Sequence, residues 1–303
     1  MNHKLAGVYA AAVTPLRADF SPDVEAISGL LDFLRERGCH GALMLGTTGE
    51  GPSFSSEERK AILKAACEFK QLYPDFRILA GTGTPSLTET IELTQAAFSL
   101  GCDGVVVLPP YYYRKVDEQG LFAWFKEVLN QAVPTDGALL GYHIPPVTGI
   151  QISMDLLSNL LEAFPTKFAG IKDSSGDAEF ATAVGERFGK ELLVLNGNDK
   201  LFKLALNSSA GGCITALTNL YSPLLRKVWD EYQKAEFGEQ TQIQIDLLRT
   251  VLDGYSPYPP ILKAMLSRQH GFPLWAVRPP LLAVSETKTI QASGEFSAVT
   301  DKN

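Results

Sequence analysis

One lysine of this sequence has the surroundings of a reactive amine. Lys172 follows the apolar run 168–171, which is typical of a buried strand. Burial disfavours the charged form of an amine, and the neutral amine is the form that attacks a ketone carbon to give a Schiff base. The alternative is an ion pair with Glu50 or Asp173, although Asp173 would point to the opposite face of the strand. We therefore predict that Lys172 is a catalytic nucleophile.

Hydroxyl groups lie at or within two other apolar runs. Thr47 and Thr48 stand between glycines at the end of one run, where their hydroxyls and open backbone could bind a carboxylate. A tight turn with incidental hydroxyls is an equal alternative for this segment. Tyr142 lies inside the second run, and its phenol could relay protons to Lys172, although a lone tyrosine in such a run is more often a core aromatic.

Three other features receive structural interpretations. The segment 81–86 begins Gly-Thr-Gly but lacks the third glycine of a dinucleotide-binding loop, so its glycines favour a strand end that approaches a pocket. His143 should point to the face opposite Tyr142, and we interpret it as a structural histidine. The aromatic run 111–114 is interpreted as a pocket rim or a subunit contact rather than a stacking surface for nucleic acid.

The cysteines and histidines are too scattered to predict a metal site. No C-x-x-C, H-x-x-x-H or H-E-x-x-H spacing occurs among Cys39, Cys67, Cys102, Cys213, His3, His40, His143 and His270. Dispersed cysteines instead indicate reduced, mostly buried thiols in a cytoplasmic protein.

Composition argues against several function classes. The 303 residues carry 27 Lys and Arg against 34 Asp and Glu, a formal charge of −7, and no basic run offers the counter-charge that nucleic-acid phosphates need. No apolar stretch approaches the roughly 18 residues of a membrane-spanning helix. The N-terminus also lacks the long apolar core of a signal peptide. We expect neither a nucleic-acid partner nor a membrane partner.

Apolar runs alternate with helical periodicity along most of the chain. Eight candidate strands begin near Val8, Gly41, Arg77, Gly104, Ala138, Phe168, Leu192 and Gly211, and candidate helices cover 23–37, 57–71, 88–100, 118–131, 154–164, 178–188 and 200–207. This alternation predicts an α/β fold, a (β/α)₈ TIM barrel, whose active site lies at the carboxyl ends of the strands. The lysine, the tyrosine and the two threonines all fall at those ends.

The alternation stops after about residue 221, and only helical patterns follow. We predict a catalytic barrel over 1–222 and a small C-terminal helical domain over 223–285. The stretch 286–303 is polar and shows no clear period, so we expect a polar tail that is loosely ordered or covers a neighbouring surface.

Four motifs together resemble one known family. They are G-T-T-G-E at 46–50, P-Y-Y at 110–112, Y-H-I-P at 142–145 and G-I-K-D-S-S-G-D at 170–177. Their order and spacing are similar to those of the dihydrodipicolinate synthase / N-acetylneuraminate lyase family of class I aldolases, from Gly7 to about Val284. The resemblance implies a lyase that makes or cleaves a carbon–carbon bond next to a pyruvate unit.

The resemblance also implies roles for individual residues. Lys172 would form a Schiff base with the 2-oxo group of pyruvate or a pyruvate-derived acid, without any other cofactor. Thr47 and Thr48 would hold the carboxylate, and Tyr142 would act as acid and base, with Thr47 completing its proton relay.

Two further implications concern the assembly and the pocket wall. Tyr112 corresponds to a family tyrosine that reaches across a dimer interface into the neighbouring active site, and Ile214 to a position whose backbone carbonyl lines the pocket. The family is commonly a homotetramer, a dimer of dimers, and we expect the same here. The expected partners are pyruvate, or another 2-oxo acid, and an aldehyde.

The departures from the family pattern bear on the substrate. Val147 stands where lysine-biosynthesis members carry an arginine for the carboxylate of aspartate semialdehyde, and losing such a partner typically costs about 1.5–3 kcal/mol. Sialic-acid lyases place an Asp-Glu pair after the strand-seven glycine, whereas here Gly197 is followed by a single acid, Asp199. Ala216 replaces their helper serine. We name Val147, Gly197 and Asp199 as candidate specificity residues.

These departures favour an aldolase for a 4-hydroxy-2-oxo acid or a 2-oxo-3-deoxy sugar acid. Three alternatives stay open: dihydrodipicolinate synthase itself, a 2-oxo-acid dehydratase that uses the same iminium, and a non-catalytic relative that binds a small molecule. A metal-dependent aldolase is a further option, which the scattered histidines disfavour.

Overall fold

The computed structural model describes residues 3–235 and 239–301. Residues 1, 2, 236–238, 302 and 303, which belong to the predicted barrel, helical domain and tail, lie outside the described residues. Eight parallel strands of the described chain close into a barrel in sequence order, which confirms the (β/α)₈ prediction. The strands are β1 (Gly7–Ala11), β2 (Gly41–Met44), β3 (Arg77–Gly81), β4 (Gly104–Val107), β5 (Leu139–His143), β6 (Phe168–Asp173), β7 (Leu193–Asn196) and β8 (Gly212–Thr215).

Helices follow the strands and form the outer layer of the barrel, and the last three helices come after the barrel and pack on other helices. They are α1 (Val24–Glu36), α2 (Ser56–Leu72), α3 (Leu87–Leu100), α4 (Glu118–Ala132), α5 (Pro145–Thr148), α6 (Met154–Ala163), α7 (Ala178–Phe188), α8 (Phe202–Asn207), α9 (Thr218–Gln233), α10 (Glu239–Asp253), α11 (Tyr258–His270) and α12 (Glu286–Thr300). Serine side chains cap several of them; Ser55, Ser86 and Ser153 accept hydrogen bonds from the first turns of α2, α3 and α6. The short helix α5 was not predicted, since four residues carry no periodicity.

The strands bury both of their faces, as parallel strands covered by helices must. Alternate side chains such as Tyr9, Leu43 and Leu140 fill the barrel interior, and the residues between them pack against the helices. Tyr142 and Lys172 are paired in register on β5 and β6, so both side chains belong to the inward-facing set at the carboxyl ends of their strands.

Two features of the C-terminal region bear on the sequence prediction. Helix α9 begins at Thr218 and is kinked at Tyr221, so the predicted boundary at 222/223 falls just after this kink, and the division into domains stays a prediction. Of the two alternatives for the polar tail, the loosely ordered one does not hold for Glu286–Thr300, which forms α12 and covers neighbouring helices.

Helix α12 packs on α10 and α11 through a narrow contact. Its buried side chains are Ala292 and Phe296, four residues apart, and Glu295 accepts a hydrogen bond of 2.8 Å from the Tyr255 hydroxyl. A single buried (i, i+4) pair among polar and small residues gives too weak an apolar stripe to be seen in the sequence. Tertiary contact therefore decides the conformation of this segment.

Candidate active site

Lys172 projects into the barrel from the carboxyl end of β6 and is 2% exposed. Its Nζ lies 4.1 Å from the centre of the Tyr142 ring. Within residues 3–235 and 239–301, no carboxylate oxygen lies within 4.0 Å of Nζ. Glu50 is instead paired with Lys263, so the ion-pair alternative raised from the sequence does not hold for Glu50.

Asp173 does not face the amine either. Its Oδ1 accepts a hydrogen bond of 3.0 Å from the Ser175 backbone N–H, and burial raises the pKa of Asp173 to about 6. The strand alternation that separates Lys172 from Asp173 therefore leaves the amine without an ion-pair partner among the described residues.

Tyr142 and Thr47 form a hydroxyl pair beside this amine. The Tyr142 hydroxyl and Thr47 Oγ1 are 3.3 Å apart, and the tyrosine is 4% exposed. Burial by itself would raise the pKa of Tyr142, but the neighbouring charge of Lys172 and hydrogen bonds from Thr47, Lys172 and Ser174 outweigh it, and the pKa is lowered. The lowered pKa makes the phenol easier to deprotonate, and its role as acid and base stays a prediction.

The loop that carries Thr47 and Thr48 is closed by its own backbone. The Gly51 N–H donates to the Gly46 carbonyl (3.1 Å), and the hydroxyl of Thr14 donates to the Gly49 carbonyl (2.7 Å). Thr47 is exposed toward the strand ends and Thr48 is buried. The binding of a carboxylate by these two residues stays a prediction.

A small cavity under this loop is lined by a residue that the sequence analysis did not identify. Arg59 of α2 is 4% exposed and lines the cavity together with Thr47 and Tyr142, and its Nε donates to the Phe54 carbonyl (3.2 Å). Gly81 and Gly83 also line the cavity, in keeping with a strand end that approaches a pocket. A single arginine within an amphipathic helix gives no sequence signal for such a position.

The remaining predicted site residues lie around the mouth of the barrel or within its wall. Tyr112 is 75% exposed and its ring is in edge contact with Tyr113, and Val147 on α5 is 54% exposed. Ile214 of β8 is fully buried in the inner layer. Their roles in binding stay predictions.

Asp199 and Gly197 are engaged within the protein. Asp199 is fully buried, and its Oδ2 accepts a hydrogen bond of 2.7 Å from Arg249 of α10. The Gly197 N–H donates to the Asp173 carbonyl (2.6 Å). The structure thus turns the Asp199 carboxylate toward the C-terminal helices instead of exposing it at the strand ends, and its predicted contact with substrate stays untested.

His143 faces the helix layer, as the sequence analysis predicts. Its Nδ1 accepts a hydrogen bond of 3.0 Å from the Ile152 backbone N–H, and its ring stacks on Phe180 at 4.3 Å between centroids. Burial lowers the pKa of His143 to about 4, against a smaller opposing effect of Asp177. The histidine is therefore a neutral hydrogen-bond acceptor near pH 7.

This lowered pKa predicts a loss of stability in mild acid. The unfolded histidine takes up a proton near its ordinary pKa of about 6.5, whereas the folded one does so only near 4. The contribution is therefore complete above about pH 6.5 and is lost as the pH falls toward 4, by up to about 3 kcal/mol.

Urea unfolding at pH 7 and pH 5 measures this effect. His143→Asn keeps an acceptor near the Nδ1 position but does not titrate, so its free energy of unfolding should fall less between the two pH values than that of the wild type. An equal fall in both proteins would show that His143 is not the group responsible; His40, whose pKa burial also lowers to about 4, would remain in both.

Other functional features of the described residues are few. Within 3–235 and 239–301, no group of three or more His, Cys, Asp or Glu residues is arranged to hold a metal ion. The same residues include no helix that is both long enough and apolar enough to cross a membrane. All four cysteines are buried and free.

Comparison with known proteins gives one consistent result. The sequence model of the dihydrodipicolinate synthetase family matches residues 4–298. A DapA-like lyase of Chloroflexus aurantiacus is 38% identical over 292 residues, which cover 95% of this chain and 96% of that protein. A 4-hydroxy-tetrahydrodipicolinate synthase of a Synechococcus species is 31% identical over 295 residues, with 96% and 94% coverage.

A solved structure shares the fold over almost the whole chain. YagE of E. coli K12, a prophage protein of the dihydrodipicolinic acid synthase family solved in complex with pyruvate, superposes with a TM-score of 0.91 at 24% identity. The match covers 98% of this chain and 99% of YagE. At this identity the likeness concerns the barrel architecture.

Proposed function

Because the chain belongs to the dihydrodipicolinate synthetase family and is a lyase of that family, we propose that it is a class I aldolase acting through Lys172. The lysine forms a Schiff base with pyruvate or a pyruvate-derived 2-oxo acid. The enzyme then makes or cleaves the carbon–carbon bond of a 4-hydroxy-2-oxo acid or a 2-oxo-3-deoxy sugar acid. No cofactor beyond this covalent bond is proposed.

The observation that carries the proposal is the position of the Lys172 amine. It is 2% exposed, lies 4.1 Å from the Tyr142 ring centre and has no carboxylate partner among the described residues. An unpaired amine in such a place is costly for folding, and a structural lysine would be expected to find an acidic partner. Nucleophilic attack on a ketone is the chemistry that uses this arrangement.

The first half of the reaction follows from the amine and the phenol. The amine nitrogen bonds to C2 of pyruvate, and the C2 oxygen leaves as water with one proton from the amine and one from Tyr142. The resulting iminium withdraws electrons from C3, so the Tyr142 phenolate removes a C3 proton and an enamine forms. The lowered pKa of Tyr142 suits a group that must be both acid and base.

The second half forms the new bond and releases the lysine. The enamine C3 attacks the aldehyde carbon, and the aldehyde oxygen takes the proton held by Tyr142. Water then adds to C2 of the iminium, and Tyr142 accepts one of its protons. The remaining hydroxyl proton passes to nitrogen as the C2 carbonyl re-forms and the C2–nitrogen bond breaks, which restores the free amine. Thr47, 3.3 Å from the Tyr142 hydroxyl, completes the proton relay, and Thr48 helps it to hold the substrate carboxylate.

The aldehyde side of the pocket discriminates between this function and its nearest alternative. Synthases that act on aspartate semialdehyde need a partner for its carboxylate, and the exposed Val147 offers neither charge nor hydrogen bond. The Synechococcus relative is nevertheless a 4-hydroxy-tetrahydrodipicolinate synthase, so this is the second candidate. A comparison of aspartate semialdehyde with uncharged hydroxyaldehydes as acceptors separates the two.

We also propose a cytoplasmic homotetramer. The four buried, free cysteines suit a reducing compartment. Tyr112 is 75% exposed in the single chain, and we propose that it reaches into a neighbouring subunit. The Ile214 carbonyl is proposed to line the pocket. Sedimentation velocity of the wild type and of Tyr112→Ala measures the assembly directly, and a wild-type monomer would contradict the proposal.

Borohydride reduction in the presence of pyruvate tests the proposed chemistry. The reduced adduct should appear in peptide mass spectrometry on Lys172, because the Schiff base forms there and reduction converts its C=N bond into a stable secondary amine. Without pyruvate no adduct should form.

Two controls accompany the borohydride experiment. A known pyruvate aldolase treated in parallel shows that the reduction conditions work, and Lys172→Arg should remain unlabelled. A folded wild type without any adduct, beside a labelled reference enzyme, would overturn the proposed function.

A further inference from the structure

Glu50 ends the loop that carries Thr47 and Thr48, and its side chain is completely buried. Its Oε1 lies 2.5 Å from Lys263 Nζ, and its Oε2 accepts a hydrogen bond of 2.8 Å from the Arg278 backbone N–H. Both oxygens of this carboxylate are therefore held by the C-terminal region of the chain. None of these contacts involves the amine at which the reaction is proposed to occur.

Lys263 is buried as deeply as its partner. It lies on α11, is 1% exposed, and donates a second hydrogen bond of 2.7 Å to the Ala276 carbonyl. Burial lowers the pKa of Lys263, and the Glu50 carboxylate opposes that shift. A lysine and a glutamate that are both removed from water need each other, so this pair is a rigid link between the loop and α11.

Arg278 adds a second connection to the same region. Its side chain donates to Ser53 and to both carboxylate oxygens of Glu58, which lies in the first turn of α2. The segment after the loop is therefore fixed as well.

The backbone of the loop explains why it needs such support. Leu45 and Glu50 flank the Gly46–Gly49 segment and have φ angles of 61° and 55°, in the left-handed region that residues with a Cβ rarely adopt. Strained backbone persists only where the surroundings hold it in place. At Glu50 the holding contacts are those of Lys263 and Arg278.

We propose that Glu50, clamped by Lys263 and the Arg278 backbone, is a positioning residue that holds the Thr47–Thr48 loop in its carboxylate-binding geometry. This inference rests on the proposed function, because it assigns the loop a substrate carboxylate. It assigns to the C-terminal helical region a part in substrate binding, although no described side chain of that region contacts Lys172 or Tyr142. Glu50 itself touches neither the amine nor the phenol.

The test compares two ketones that differ in the carboxylate. Pyruvate and acetone both present a methyl ketone to Lys172, but only pyruvate needs the loop. The half-saturating concentration of each ketone for borohydride trapping is measured in the wild type and in Glu50→Ala/Lys263→Met, which leaves neither charge of the pair unpartnered. We expect the value for pyruvate to rise by at least about tenfold and the value for acetone to change by less than about twofold.

Two further variants separate positioning from general damage. Glu50→Gln/Lys263→Met keeps an acceptor for the Arg278 N–H and should recover most of the affinity for pyruvate. Lys70→Met removes a partly buried ion pair with Asp103 at the opposite end of the barrel. It should lower the unfolding temperature without changing the half-saturating concentration of either ketone. If the main double variant does not fold, Glu50→Gln, which keeps the size of the side chain and an acceptor for Lys263, is compared on the same two ketones. The half-saturating concentration of pyruvate alone should then rise by about threefold.

The outcomes distinguish this inference from the proposed function. An unchanged value for pyruvate, or a parallel rise for both ketones, would overturn the positioning role of Glu50. A wild type that pyruvate does not label would overturn the proposed function first. A higher half-saturating concentration for pyruvate, with an unchanged one for acetone, would support both the positioning role and the proposed function.

Discussion

Replacing Lys172 with methionine should reduce the release of pyruvate from 4-hydroxy-2-oxo acids by at least about 10⁴-fold, because covalent catalysis at this amine has no substitute. Methionine fills a similar volume and removes an unpaired amine from the barrel interior. The fold should therefore be retained or slightly stabilised. Steady-state turnover and a thermal unfolding curve, measured on the same preparation, check the two halves of this expectation.

Lys167→Met is the matched control for this variant. Lys167 lies just before β6, at the opposite end of the strand, and donates to the Leu129 carbonyl (3.1 Å). Its loss should leave turnover within about twofold of the wild type, since it is remote from the strand ends that carry the site. Substantial activity in a folded Lys172→Met protein would refute the Schiff-base mechanism.

Tyr142→Phe should lower kcat by about 10²- to 10⁴-fold, the range typical of a lost general acid and base. The aromatic ring still packs above Lys172, but no hydroxyl remains to move protons between the amine, C3 and the substrate oxygens. Borohydride should still label Lys172 after long incubation with pyruvate, because the amine is intact. Rapid-quench trapping, which follows the rate of labelling, separates slow iminium formation from its absence.

Tyr9→Phe provides the corresponding control, because Tyr9 is a second tyrosine whose side chain lies in the barrel interior. Tyr9 is fully buried, and its hydroxyl donates to the Leu5 carbonyl (2.8 Å) near the amino end of β1. Removing that hydroxyl should cost about 1 kcal/mol of stability and leave kcat unchanged. If Tyr142→Phe and Tyr9→Phe had the same small effect on kcat, Tyr142 would be only a core aromatic.

The barrel and its central residues were predictable because their signals are local. Each strand is a short apolar run, each helix repeats its apolar residues every three or four positions, and strand alternation alone places Lys172 and Asp173 on opposite faces. Tyr142 and Lys172 could be expected to meet, since consecutive strands are neighbours in this barrel. The register of β5 and β6 bears this out.

Side-chain partners that are distant in sequence could not be predicted in the same way. Asp199 reads as a substrate ligand from its motif, yet its partner Arg249 lies 50 positions away on α10. Helix α12 depends on one buried pair, Ala292 and Phe296, and on the surface that α10 and α11 offer to it. No local pattern contains that information.

Periodicity and strand alternation are properties of neighbouring residues, so they were enough to predict the barrel, the lysine proposed to react and the two hydroxyl groups proposed to serve it. The pairing of Glu50 with Lys263, 213 positions later, and not with Lys172, becomes evident only in the folded chain. A buried charge takes the partner that folding brings within reach, and removal from water makes that choice energetically decisive. The lysine left without a carboxylate is the one proposed to react.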